Sequence, residues 1–140
     1  MIYTSSLQQN MIQTLKCFLI EDEPLAIRQL ESFIGNREIL ELIDIVDDVE
    51  NVADFLPKLI HSDILFLDIQ VKGGDIKSLA SYIASLPYVI VISALSPEDY
   101  PDFIKNRHHF VLQKPITPSR FNACITTILK QTVETNSTLS

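Results

Sequence analysis

The chain has 140 residues, of which 46% are hydrophobic and 21% charged, with a formal net charge of −7. That length suits one domain with a real core, burying roughly two-thirds of its unfolded surface, and the apolar content excludes a disordered chain. The acidic balance argues against a nucleic-acid-binding face, and no apolar run approaches the ~18 residues of a membrane span.

The opening MIYTSSLQQNMIQTLK lacks the basic-then-apolar order of a signal peptide. Residues 1–15 read as an N-terminal extension, with Met11 a candidate natural start. Next comes CFLI, Cys17 to Ile20, the first of five short aliphatic runs, each too brief for a helix. It leads directly into Glu21-Asp22-Glu23 and Pro24. Two unit charges about 4 Å apart repel by roughly 4 kcal/mol at an effective dielectric near 20. Three adjacent acids therefore need compensation from a helix N-terminus, a basic side chain or a metal ion. Ala26, Ile27, Leu30, Phe33 and Ile34 form one helical face that stops at Gly35.

LELIDIV, Leu40 to Val46, interleaves Glu41 and Asp44 with aliphatics, as an edge strand does. A second helical stripe follows in Val52, Phe55, Leu56, Leu59 and Ile60. DILFLD (Asp63 to Asp68) and YVIVIS (Tyr88 to Ser93) read as continuous apolar strands covered on both faces. Between them, Leu79, Ile83 and Leu86 suggest a third helix that Pro87 ends. The segment from Pro97 to Arg107 predicts a fourth helix that is short or starts late, because Pro101 interrupts it. FVLQ, Phe110 to Gln113, is the last strand. Thr117 as N-cap and Pro118 at the first position open a fifth helix carrying Phe121, Cys124, Ile125, Ile128 and Leu129. Gln131 to Ser140 is polar, lacks a stripe, and reads as a tail or linker. Cys17 and Cys124 sit in apolar segments and look like buried thiols of a reducing cytoplasm.

Strict βα alternation predicts an α/β fold: a doubly wound (βα)5 three-layer sandwich around a parallel five-stranded sheet of order 2-1-3-4-5. In such sheets functional groups collect at the carboxyl ends of the strands. Those ends are Glu21-Asp22-Glu23, Asp68, Ser93 and Lys114-Pro115. Each has a plain account taken alone: a helix start, a loop residue, a core hydroxyl, an exit into solvent. Their convergence at one sheet edge favours a shared site. Glu21, Asp22 and Asp68 offer hard oxygen ligands suited to Mg²⁺, Asp68 is placed to attack phosphorus, and Ser93 and Lys114 are placed to hold the transferred group.

On these residues (EDEPLA at Glu21 to Ala26, Leu67-Asp68-Ile69-Gln70, Ser93-Ala94 and Lys114-Pro115-Ile116) the chain from Lys16 to Lys130 resembles a response-regulator receiver domain of two-component signalling. It is most similar to the receivers of LytTR-type response regulators. The resemblance implies a flavodoxin- or CheY-like receiver over residues 16–130, and a tail or linker over 131–140. It implies Asp68 as phosphoacceptor and Glu21, Asp22, Asp68 and the Gln70 backbone carbonyl as ligands of Mg²⁺ or Mn²⁺. It further implies Ser93 as switch hydroxyl, Lys114 as phosphate-binding cation and a cis bond before Pro115. The expected partners are a sensor histidine kinase or phosphotransfer protein and, through the last two helices and last strand, a second copy. A DNA-binding output domain beyond Ser140 is compatible with it, although this segment binds no nucleic acid itself. Such a domain is not an enzyme beyond self-phosphorylation and autodephosphorylation.

The chain departs from the family pattern in three places. Val71-Lys72 stands where a Met-Pro pair is common, Ile76 where a glycine is usual, and Val111, next to Phe110, where an aromatic residue swings on activation. A phosphorylation-independent pseudo-receiver is the alternative these changes raise. An aspartyl-phosphate phosphatase needs a second acid two positions after the nucleophile, and Gln70 cannot serve. There is no GxGxxG or Walker pattern, and His61, His108 and His109 lack partners at zinc spacing.

Overall fold

The computed structural model describes residues 13–139, so most of the expected N-terminal extension, Met11 included, lies outside the described residues. Five strands, β1 (Leu15–Ile20), β2 (Leu40–Val46), β3 (Ile64–Asp68), β4 (Tyr88–Ser93) and β5 (Phe110–Gln113), form one sheet in the order β2-β1-β3-β4-β5. Every neighbouring pair is parallel. This is the doubly wound arrangement that the alternation predicts. The three strands with a neighbour on each side, β1, β3 and β4, are the most apolar, while edge strand β2 is only partly buried after Leu40. Asp63 stays outside β3. Its carboxylate instead accepts a hydrogen bond from Lys16 N at 2.8 Å, aligning the starts of β1 and β3.

Strand alternation divides the core between the two faces. Cys17, Leu19, Ile64, Phe66, Ile90 and Ile92 face α1 (Pro24–Gly35) and the C-terminal helix α5 (Pro118–Leu139), which contribute Leu30, Ile34, Phe121, Ile125 and Ile128. Phe18, Ile20, Leu65, Leu67, Val89 and Val91 face α2 (Val52–Ile60), α3 (Ala80–Ile83) and α4 (Asp102–Lys105). The latter side is assembled from shorter pieces. A 3₁₀ turn at Ile76–Leu79 runs into the four residues of α3, and another at Pro97–Asp99 precedes the four of α4. The late, short fourth helix follows from Pro101, which occupies its N-cap position.

Thr117 caps α5 as expected, its hydroxyl accepting from Arg120 N at 3.3 Å. The helix does not stop at Lys130. It continues through the residues read as tail or linker as far as Leu139, because no Gly or Pro follows Pro118 to break it. Among the described residues no helix is long and apolar enough to cross a membrane.

Candidate functional site

The carboxyl ends of β1, β3, β4 and β5 bring the charged residues together. Glu21 follows β1 directly, and its amide continues the ladder to β2 by donating to Val46 O at 3.1 Å. That position between two neighbouring strands buries the side chain completely. Its Oε1 accepts from Glu23 N at 3.0 Å and from Lys114 Nζ at 2.9 Å, whereas Oε2 is buried without a hydrogen-bond partner among the described residues. Asp22 is half-buried, and its Oδ2 accepts from the backbone N of Lys72 at 3.1 Å. Asp68, the last residue of β3, is 3% exposed; Oδ1 accepts from Gln70 N at 2.8 Å and Oδ2 lies 3.6 Å from Lys114 Nζ. Carboxylate oxygens of Glu21, Asp22 and Asp68 all fall within 4.8 Å of one another.

Ser93 ends β4, wholly buried, with Oγ accepting from Leu95 N at 2.8 Å and its carbonyl accepting from Lys114 N at 3.2 Å. The Lys114–Pro115 peptide bond is cis. Lys114 Nζ thus sits among three acids, with Glu23 at 3.6 Å in addition to Glu21 and Asp68. Of the three candidates for offsetting the acidic run, two are in place: the N-terminus of α1 at Pro24, and this ammonium.

The compensation is incomplete. Burial pushes the Glu21 carboxyl above its usual range, and the hydrogen bonds from Lys114 and Glu23 N only partly pull it back. Burial also opposes the charge on Lys114. The hydrogen bond to Glu21 and the charges of Asp68, Glu21 and Glu23 outweigh it, so Lys114 holds its proton above the usual range. One ammonium serves several carboxylates, and a buried carboxylate oxygen has no donor among the described residues. An all-oxygen cluster with an orphaned buried atom is the donor chemistry a hard divalent cation takes.

The remaining singled-out residues are distributed unevenly. Gln70 adjoins the cluster through its amide. Val111 points outward from edge strand β5 and is 37% exposed. Phe110, half-buried, packs against the α1/α5 side of the core and meets His108 edge-on at 5.0 Å. Val71 and Ile76 are both buried in the opposite core, so the residue standing where a glycine is usual contributes apolar packing. Two contributors escape sequence reasoning: Glu23 as a further counter-charge to Lys114, and the Lys72 amide on Asp22. The loop carrying Lys72 is also joined to the β2–α2 loop, where Val49 N donates to Gly73 O at 2.7 Å. The adjacent pair Gly73-Gly74 was the available signal. A Cβ on Gly73 would run into the side chain of Asp48, and Gly74, at φ +83°, lies against the backbone of Val49 and Glu50.

No family model matches the chain. It is 27% identical over 116 residues to the sensory transduction protein LytR of Staphylococcus epidermidis, a match covering 79% of this chain and 44% of that protein. The crystal structure of the response regulatory domain of protein MrkE from Klebsiella pneumoniae is 26% identical with a TM-score of 0.68, covering 84% of this chain and 97% of that one. The REC domain of AraT, a response regulator from Geobacillus stearothermophilus, shares the fold at a TM-score of 0.71 and 21% identity, over 89% of this chain and 99% of that one. The chain spans less than half the length of the curated relatives it matches.

Proposed function

In sequence and fold this chain resembles response-regulator receiver domains, near those of LytTR-type regulators, and on that premise we propose that it accepts a phosphoryl group on Asp68. The observation that carries the proposal is the convergence of Glu21, Asp22 and Asp68 oxygens within 4.8 Å, with Lys114 Nζ 3.6 Å from the Asp68 carboxylate.

Glu21, Asp22, Asp68 and the Gln70 carbonyl would hold Mg²⁺ or Mn²⁺. When bound, such an ion neutralises the acids and the oxygens of the incoming phosphoryl group. A carboxylate oxygen of Asp68 forms the new O–P bond as the bond from phosphorus to a donor imidazole nitrogen breaks. The electron pair departs with the imidazole, and the product is an acyl phosphate. Lys114, whose Nζ lies 3.6 Å from the Asp68 carboxylate, pairs with the phosphoryl oxygens. Ser93 contributes its hydroxyl proton, since among the described residues Oγ accepts from Leu95 N and donates to none. Turning toward phosphate loosens that contact and the segment behind it, which leads to α4. The donor is a sensor histidine kinase or phosphotransfer protein in the cytoplasm. The readout is an output domain or partner, or a second copy, contacted through α4, β5 and α5.

Incubation with acetyl phosphate and Mg²⁺ tests this reading. Wild type gains an acid-stable, base-labile phosphate, EDTA blocks it, and Lys114→Ala slows it about a hundredfold. A chain that binds Mg²⁺ yet never labels is a pseudo-receiver, and the proposal fails.

A further inference from the structure

Ser93 and Arg107 bracket the segment that leads through α4 toward β5. At its start, Ser93 Oγ accepts from Leu95 N at 2.8 Å. At its end, the half-buried Arg107 side chain binds only carbonyl oxygens. Nη1 donates to Ile83 O at 2.5 Å and to Leu86 O at 3.1 Å, and Nε donates to His108 O at 2.8 Å.

The guanidinium joins two helix ends. Ile83 is the last residue of α3, and Leu86 N donates back to Ile83 O at 3.1 Å, so both acceptors belong to the turn that closes that helix. Carbonyls at a helix end lack intrahelical donors, and Arg107 supplies them. Asn106 N donates to Asp102 O at 2.9 Å and Arg107 N to Ile104 O at 3.3 Å, which makes Arg107 part of the turn that closes α4. Ile83, Leu86, Tyr100 and Ile104 are buried in one core. Burial pulls the Arg107 guanidinium below its usual range, and among the described residues no carboxylate pairs with it. Its charge is met by the carbonyls alone. Only a fork with donors on separate nitrogens meets all three, because an ammonium has a single nitrogen.

We infer that Arg107 couples α3 to α4, acting as a positioning residue, so that a change begun at Ser93 reaches the end of α3 as well as α4. The surface it reshapes then runs from α3 to β5. This deepens the proposed function and rests on it, since phosphorylation of Asp68 is what turns Ser93.

Amide resonances followed on adding beryllofluoride, a phosphoryl mimic, with Mg²⁺ test the inference. In wild type those of Ala84 and Leu86 should move together with those of Lys105 and Asn106. Arg107→Lys keeps the charge but not the fork. In R107K the α4 shifts should persist while those of Ala84 and Leu86 shrink at least about twofold. Unreduced α3 shifts in R107K, or wild-type shifts confined to α4, overturn the inference and leave the phosphoacceptor reading intact. A wild type that never binds the mimic overturns that reading, and the inference with it. If R107K does not fold, hydrogen exchange of the free wild type decides. The Leu86 and Asn106 amides should share one opening free energy and one urea dependence, and different urea dependences overturn the coupling.

Discussion

The two faces of the sheet are built to different standards. One is covered by α1, of 12 residues, and α5, of 22. The other is covered by α2, of 9 residues with Pro57 inside it, and by two four-residue helices each preceded by a 3₁₀ turn. The site is divided in the same way. Glu21 and Glu23 lead into α1 and Lys114 into α5, whereas Asp68 and Ser93 lead into the loops of α3 and α4. The fixed charges Glu21, Glu23 and Lys114 hang from the long helices; Asp68, the proposed acceptor, and the Ser93 hydroxyl hang from the short ones. Under the proposed function, holding a cation and responding to a covalent change, that division is an advantage, because local opening is drawn from segments with little regular structure.

The largest expected effect is on the long-helix face. Phe121 stacks on Phe66 at 5.9 Å and meets Phe33 at 5.4 Å, all within the α1/α5 core. Phe121→Ala should cost about 3–5 kcal/mol in urea unfolding; a loss under about 1 kcal/mol would erase the contrast between faces. Next in size is the difference in local stability. Amides of α3 and α4 should exchange through openings well below the global unfolding free energy, while those around Ile125 and Ile128 exchange only with global unfolding. Uniform protection would contradict the comparison.

A smaller effect sharpens it. Tyr100, between the second 3₁₀ turn and α4, is 3% exposed, and its hydroxyl is buried without a hydrogen-bond partner among the described residues. Removing an unsatisfied buried hydroxyl relieves about 1 kcal/mol or more. Tyr100→Phe should therefore raise thermal stability, and a fall would mean that the hydroxyl has a donor or acceptor in solution. Smallest of all is thiol reactivity on the long-helix side. Burial pushes the Cys17 thiol up to about 12 and that of Cys124 to about 11. Both keep their protons at pH 8, and that contribution to stability is present below the ordinary thiol value and lost as pH rises toward 11–12. A disulfide reagent at pH 8 should modify half-buried Cys124 first and Cys17 only on the timescale of unfolding.

Strand positions were legible because aliphatic runs of four to seven residues carry an unambiguous period: β2, β4 and β5 have the limits their apolar runs suggest. The stripe Leu79, Ile83, Leu86 was less so, since a 3₁₀ turn ends where α3 begins and the two share one apolar face. The C-terminal limit of α5 was not legible, because lack of an apolar stripe does not stop a helix that meets no breaker. At the site, Glu21, Asp22, Asp68 and Lys114 could be grouped from strand ends alone. The unequal lot of the adjacent Glu21 and Asp22, one buried against an ammonium and the other tied to an amide, could not. It depends on the neighbours of β1 and on a backbone donor, and a backbone N–H is the same in every residue but proline.

The account stands on Asp68 as the acceptor among these acids, and borohydride trapping tests that most directly. After treatment with acetyl phosphate and Mg²⁺, reduction of an acyl phosphate converts the acceptor aspartate to homoserine, which peptide mapping locates. The account predicts homoserine at position 68 alone, absent when Mg²⁺ is withheld. Reduction at another carboxylate, or equal labelling without the metal, would contradict it.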